Sequence, residues 1–205
     1  MTIRFYSWPQ SSGSGVHWAL EELGLPYEYV RLDRTKGEHR SAEYLAVNPN
    51  GKVPALVDGE ECYFESLAIL LHLAERYGAM KGLWPAAGKQ RAQALSWTTW
   101  STTELMPFML QYIYHGLDAP MSFDPPDRSK AAAEYSLANS SSHLDMLESR
   151  LRDRQFVMGT FSLADIPIAA ALGFGITQGV PLDQRPAVRA WLDRCSGRPA
   201  RARVE

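Results

Sequence analysis

Residues 48–78 read NPNGKVPALVDGEECYFESLAILLHLAERYG, and the order of elements inside this stretch decides the architecture. A turn rich in Asn and Gly leads into KVPALVDG and then, past Asp58-Gly59, into CYF. These are two short β-prone runs with a turn between them, which predicts a pair of strands. ESLAILLHLAERYG is apolar on nearly every face and predicts a largely buried helix, closed by Gly78. Toward the N-terminus, RTKGEHRSAEYLAVNPNG is polar with one helical turn around SAEYLA, and YEYVRLD before it alternates as a strand. GVHWALEELG carries Val16, Ala19, Leu20 and Leu23 on one helical face, and TIRFYS opens the chain as another strand. The first ~80 residues therefore read β-α-β then β-β-α, a compact α/β layer with a helix on each face.

Beyond Trp84-Pro85 the strand signals stop. KQRAQALSWTTWSTTELMPFMLQYIYHG places Leu95, Trp97, Thr98, Trp100 and Leu105 at helical spacing, with Pro107 predicting a kink. A loop rich in Pro and Asp follows. RSKAAAEYSLANSSSHLDMLESRLRD then predicts a long amphipathic helix, SLADIPIAAALGFGI a short apolar one and RPAVRAWLDRCSGRP a last one. The expected fold class is α/β plus all-α, with domains at 1–80 and 86–205. Ser162 and Asp165 in FSLADI have the spacing of a capping box, a feature of folding rather than of chemistry.

The 205 residues carry a formal net charge of −2, with 45% apolar and 21% charged residues, an ordinary globular balance. A slightly acidic chain offers no electrostatic footprint for nucleic acid or an anionic membrane. Its most basic stretch, RPARARVE, reads as a solvated terminus. Two distant cysteines, Cys62 and Cys195, imply neither a CxxC pair nor a disulfide framework. MTIRFYSWPQ lacks a basic n-region and an apolar run, and no apolar stretch reaches the roughly 20 residues that span a bilayer, so a cytoplasmic location is expected. The five histidines are dispersed, which gives no spacing for a metal site. NPNGKV lacks the glycine and hydroxyl positions of a phosphate loop, SSGSG is not GxSxG, and no GxGxxG follows the first strand.

What remains is a combination: NPNGKVPALVDG, then FESLAILLHLAERYG, then FSLADIPIAAAL, with ALEELGLPYE ahead of all three. In this order and spacing they resemble the cytosolic glutathione transferase superfamily, over essentially the whole chain. The resemblance implies a thioredoxin-like N-terminal domain that binds glutathione, a helical-bundle C-terminal domain, and a homodimer with glutathione as co-substrate and no metal. It implies a cis bond before Pro54 that leaves the N–H and C=O of Val53 unpaired and facing outward, where the cysteinyl main chain of glutathione pairs with them like an added strand. Ser66, at the start of the buried helix, would receive the γ-glutamyl carboxylate, and an N-cap role there can coexist with this. Glu65 would face the ligand ammonium and Lys52 its polar end. KGEHRSAEY is similar to the theta-class segment that sets a histidine on the glycyl carboxylate, which falls on His39.

The superfamily activates the thiol with a Tyr, Ser or Cys near the end of the first strand. Tyr6 lies inside the strand, and no cysteine is near. The run SSGSGVHWAL is similar to the serine pair of zeta-class enzymes, which points to Ser11. Counted back from ALEE against the beta-class pattern, the position falls on Ser12 instead, and Ser14 is a lesser candidate. The resemblance thus implies a serine-type enzyme that conjugates the glutathione thiolate to an electrophilic, hydrophobic substrate. That substrate would sit between the domains, by Trp97, Trp100, Met106, Phe108 and Tyr112. Isomerase, dehalogenase or peroxidase chemistry at the same site stays open, as does a non-catalytic interaction module. A zeta-like isomerase loses support because Gly15, Val16 and His17 replace the cationic residues that would hold an anionic substrate.

Overall fold

The computed structural model describes residues 3–182 and 184–204. The chain forms two compact units, Met1–Pro85 with Arg198–Glu205, and Ala86–Gly197. The tail from 198, expected in the helical half, groups with the first unit. Its arginines pair with acidic residues of the first long helix.

Unit 1 is a four-stranded mixed sheet in the order β2-β1-β3-β4, formed by Ile3–Ser7 (β1), Tyr27–Arg31 (β2), Ala55–Asp58 (β3) and Glu61–Phe64 (β4). β1 runs parallel to β2, with Phe5 opposite Tyr29, and antiparallel to β3, with Tyr6 opposite Ala55. Strand pleating divides the side chains between two faces. Ile3, Phe5 and Leu56 lie on the face covered by Ser14–Leu23 (α1) and Ser66–Leu73 (α3), which pack on each other. Tyr6, Ala55 and Val57 lie on the other face, with Tyr44 of the short helix Ala42–Leu45 (α2), Leu32 and Val53.

The helix after Glu65 departs from expectation. Ile69, Leu70 and Leu73 are buried, but Leu67 and Leu71 are half-buried and Ala68 is exposed, so one face carries the packing. Gly78 does not close it. Residues Ala74–Gly78 widen into a π-helical turn, Ala79–Lys81 continue as a 3-10 turn, and the stop is Gly82 at φ +68°. This extension places Tyr77 and Arg76 beside His72 around Asp58 at the end of β3. One carboxylate oxygen of Asp58 takes the Tyr77 hydroxyl at 2.7 Å, the His72 ring at 2.8 Å and the Arg76 guanidinium at 3.4 Å.

Unit 2 is all helical: Lys89–Trp100 (α4), Met106–Gly116 (α5), Lys130–Leu151 (α6), Asp165–Thr177 (α7) and Pro186–Ser196 (α8). Pro107 stands in the first turn of α5 and lacks the N–H that would bond back to Thr103. The preceding Ser101–Leu105 forms a π-helical turn, which accommodates the missing bond without a break. α7 buries Ile166, Ile168, Ala169 and Leu172 among its neighbours.

Asp165 reaches back to the Ser162 N–H at 2.9 Å, as a capping box requires. The serine half of the box differs: Asp165 is already the first helical residue, and the Ser162 hydroxyl donates to the same carboxylate at 3.2 Å. The Val157 N–H and the Trp191 indole N–H, each at 2.9 Å, complete a four-donor hub with no solvent exposure. Burial pushes this carboxyl up, and its four donors pull the other way.

Two stability predictions follow from these carboxylates. Asp165→Ala strands buried donors from three segments and is expected to lower the unfolding free energy by about 3 kcal/mol in urea titration. At Asp58, burial raises the carboxyl, and Tyr77, His72 and Arg76 outweigh it, leaving the group below its usual range. Its stabilisation is therefore complete above the unfolded-state value of about 4 and is lost as pH falls through the lower folded value. In Asp58→Asn the acid limb of the stability–pH curve, below pH about 4, should be shallower than in the unsubstituted protein.

Candidate active site

Three loops meet at one end of the unit 1 sheet. The first leaves β1 at Ser7, whose buried hydroxyl lies 2.8 Å from that of Ser11. Ser11 is turned into its own loop: its hydroxyl accepts the Gly13 N–H at 3.1 Å, and its carbonyl accepts the N–H and hydroxyl of Ser14 at 3.1 and 3.0 Å. This small hydroxyl cluster starts α1. Gly13 is required there, because a Cβ would lie 2.2 Å from the Ser7 Oγ.

Ser12 points elsewhere. It is exposed, its hydroxyl donates to the Val53 carbonyl at 2.9 Å, and its own carbonyl accepts the Ser66 hydroxyl at 3.0 Å. One residue thus ties the first loop to the second and to the start of α3.

The second loop is NPNGKVP. Asn48 accepts the Asn50 N–H at 3.0 Å, and its amide donates to the Lys52 carbonyl at 2.6 Å, where the Tyr44 hydroxyl also donates at 2.6 Å. Burial pushes the Tyr44 phenol up to about 12, so it remains a donor across the ordinary pH range. Gly51 turns the chain at φ +58°, with the His39 carbonyl 3.0 Å from where a Cβ would stand. The Lys52 side chain is exposed, while Val53 and Pro54, joined by a cis bond, are buried. The resemblance implied that the Val53 carbonyl is unpaired. It is instead capped by Ser12.

The third loop ends at Glu65, which adopts φ +69° and ψ 123°, a conformation that favours glycine. Its side chain does not cap α3, and Ser66 is the first helical residue rather than the N-cap. The Ser66 hydroxyl therefore serves Ser12, and no side chain among the described residues caps the first N–H groups of α3.

Ser12, Val53 and Ser66 are thus joined directly. Lys52 and Glu65 are their chain neighbours. His39 enters through its backbone at Gly51 and through Trp8, whose ring meets the His39 ring edge-on at 5.6 Å. Trp8 in turn packs on the Val53 cluster, and the buried His39 Nδ1 has no partner among the described residues. Ser11 is brought near but faces inward. Tyr6 is buried against Tyr44 at 5.7 Å, and burial pushes its phenol up. The arrangement presents two helix N-termini, hydroxyls, a lysine, a carboxylate and a backbone segment beside a cis proline. That inventory suits a ligand with carboxylates, an ammonium and a peptide main chain.

Several supporting residues escaped the sequence reading. Ser7, Tyr44 and Asn48 act through contacts that no motif encodes. The tail, read as a solvated end, is a clamp on α1: Arg198 forms two bonds to Glu22 at 2.6 and 2.7 Å, and Arg203 pairs with Glu21. Arg201 lies over the Trp18 ring at 5.8 Å. These partners stand some 180 residues apart in the chain, too far for local pattern to connect them. In unit 2, Trp97 and Trp100 meet edge-on at 5.2 Å, and Met106, Phe108 and Tyr112 are half-buried like them.

The backbone at Glu65 gives a direct test. Glu65→Gly removes the unfavourable conformation and is expected to raise the unfolding free energy by about 1 kcal/mol in urea titration.

Two family models match the chain: the glutathione S-transferase N-terminal domain at residues 1–75 and its C-terminal domain at residues 103–199. Glutathione S-transferase F10 of Arabidopsis thaliana is 33% identical over 206 residues, covering 98% of this chain and 94% of the relative. Glutathione S-transferase GstB of Escherichia coli is 33% identical over 189 residues, covering 90% and 88%. Among solved structures, a theta-class glutathione S-transferase from Xanthomonas axonopodis pv. citri with glutathione bound superimposes at a TM-score of 0.82 with 26% identity, covering 98% of this chain and 96% of that one. A thioredoxin-like α/β unit with these loops, a helical second unit and identity sustained along nearly the full length together show that the chain belongs to the glutathione S-transferase superfamily.

Proposed function

We propose that this glutathione S-transferase binds glutathione across the three loops, holds its thiol as thiolate through the Ser12 hydroxyl, and delivers the sulfur to an electrophilic, hydrophobic carbon. The observation that carries the reading is the double tie of Ser12, to the Val53 carbonyl and to the Ser66 hydroxyl. It favours Ser12 over Ser11, whose hydroxyl is engaged with Ser7 and Gly13. In this reading the cysteinyl main chain runs along Val53 beside Pro54, and the γ-glutamyl carboxylate sits at Ser66 on the N-terminus of α3. Glu65 takes the ammonium, Lys52 lies by the ligand's polar end, and His39 attends the glycyl carboxylate. Action as a cytoplasmic homodimer in detoxification belongs to the same proposal.

A hydroxyl is strong enough for this task. Bringing a thiol from pKa about 8.5 to roughly 6.5 requires ~2.7 kcal/mol. One hydrogen bond to a charged acceptor supplies about 1.5–3 kcal/mol. The N-terminus of α1, which begins two residues after Ser12, adds roughly 0.3–2 kcal/mol. No general base is needed, since the thiol proton passes to solvent.

The test is an ultraviolet titration of the thiolate band of bound glutathione against pH. Ser12→Ala should raise the bound thiol toward its free value, leaving only the contribution of the α1 N-terminus, and lower the conjugation rate at pH 7 by up to roughly 20–30-fold, the largest change in thiolate fraction. Ser11→Ala should keep the band while loosening the turn. The reverse pattern would assign the role to Ser11. Absence of any band with saturating glutathione would remove the transferase reading.

A further inference from the structure

The Ser12 hydroxyl has one proton, and the Val53 carbonyl engages it at 2.9 Å. A carbonyl oxygen accepts two donors, but a hydroxyl cannot donate to a carbonyl and a sulfur at once. Val53 is only 9% exposed, so a Ser12 that turned away would leave a poorly solvated carbonyl without its donor, an unfavourable state. The exchange becomes favourable when another donor arrives at the same carbonyl. An extended peptide lying along Val53 brings one: its main-chain N–H.

We propose that Ser12 is a conditional donor, held by the Val53 carbonyl until the cysteinyl N–H of the bound ligand takes that carbonyl over, so that the site activates only a thiol carried beside a main-chain amide. The inference rests on the reading of Ser12 as the activating residue and adds a selectivity to it. The S–H bond breaks with its proton passing to water, while Ser12 keeps its own proton and donates it to the sulfur. Small thiols that enter the site without such an amide leave Ser12 engaged and stay protonated. The loop anatomy supports a rotation of this side chain alone. The Ser12 backbone is pinned by Ser66 and the neighbouring turn is pinned by Ser11, whereas Ser12 itself is an exposed residue.

The probes are S-methylglutathione and its ester analogue, in which oxygen replaces the cysteinyl N–H. Without a free thiol, their binding reports the carbonyl alone. Calorimetric affinities for both, on the unsubstituted protein and on Ser12→Ala, form a double-mutant cycle. If Ser12 and the ligand N–H share the carbonyl, Ser12 stands in for the missing N–H. The ester then costs Ser12→Ala roughly tenfold more affinity than it costs the unsubstituted protein. Equal penalties, or an ester that fails to bind the unsubstituted protein, overturn the proposal. The free-thiol ester separates the two readings. Bound to the unsubstituted protein, its thiol should titrate no lower than that of glutathione bound to Ser12→Ala, against a fall of about two units for glutathione in the unsubstituted protein. If its thiol falls as far as that of glutathione, the exchange is wrong and Ser12 remains the activator. If Ser12→Ala lowers the glutathione thiol as far as the unsubstituted protein does, both fail.

Discussion

The pairing of β1 with β3 is the constraint on which the site depends. Because Tyr6 lies opposite Ala55, the loop that leaves β1 and the loop that enters β3 emerge at the same end of the sheet. A 41-residue separation in the chain becomes one hydrogen bond between Ser12 and Val53. The Ser66 hydroxyl adds the start of α3 to the same point from 54 residues away. The two long-range ties converge on one residue whose neighbours are all fixed by shorter bonds. A displacement of the β1–β3 register would separate the loops and turn Tyr6 to the other face.

Strain gathers where the loops meet. Glu65 holds a backbone conformation that favours glycine, and Gly51 turns at φ +58° against the His39 carbonyl. Such conformations persist only when surrounding bonds over-determine them. Tyr44 and Asn48 hold the Lys52 carbonyl beside Gly51, and the Glu65 carbonyl accepts the Ile69 N–H at 3.0 Å. These bonds fix the backbone of the loops around Ser12, an exposed residue whose hydroxyl reaches across to Val53.

Each unit is also fastened by a buried carboxylate serving several donors. Asp58 collects Tyr77, His72 and Arg76 on one oxygen at the end of β3, and Asp165 collects four donors at the start of α7. Asp165 spreads its donors two to each oxygen, the capacity of a carboxylate, whereas the second oxygen of Asp58 is buried with no partner among the described residues. The arginine pairs between the tail and α1 follow the same logic nearer the surface, with Glu22 almost fully buried beneath Arg198.

The sequence alone determined the α/β-then-α order, because periodicity and turn residues are local: Asp58-Gly59 between two short strands, and the loss of strand pattern after Trp84. It also named the loops, since Val53-Pro54 and Glu65-Ser66 stand at readable positions beside recognisable elements. It did not separate Ser11 from Ser12. Adjacent hydroxyls in a turn are equivalent to any local pattern, and only the β1–β3 pairing supplies the carbonyl that one of them meets. Gly78 and the tail arginines were misread for the same reason. A glycine stops a helix only if the backbone turns left-handed there, and an arginine is solvated only if no carboxylate is brought to it. Both conditions are set by packing between residues far apart in the chain, and that is what the tertiary structure decided.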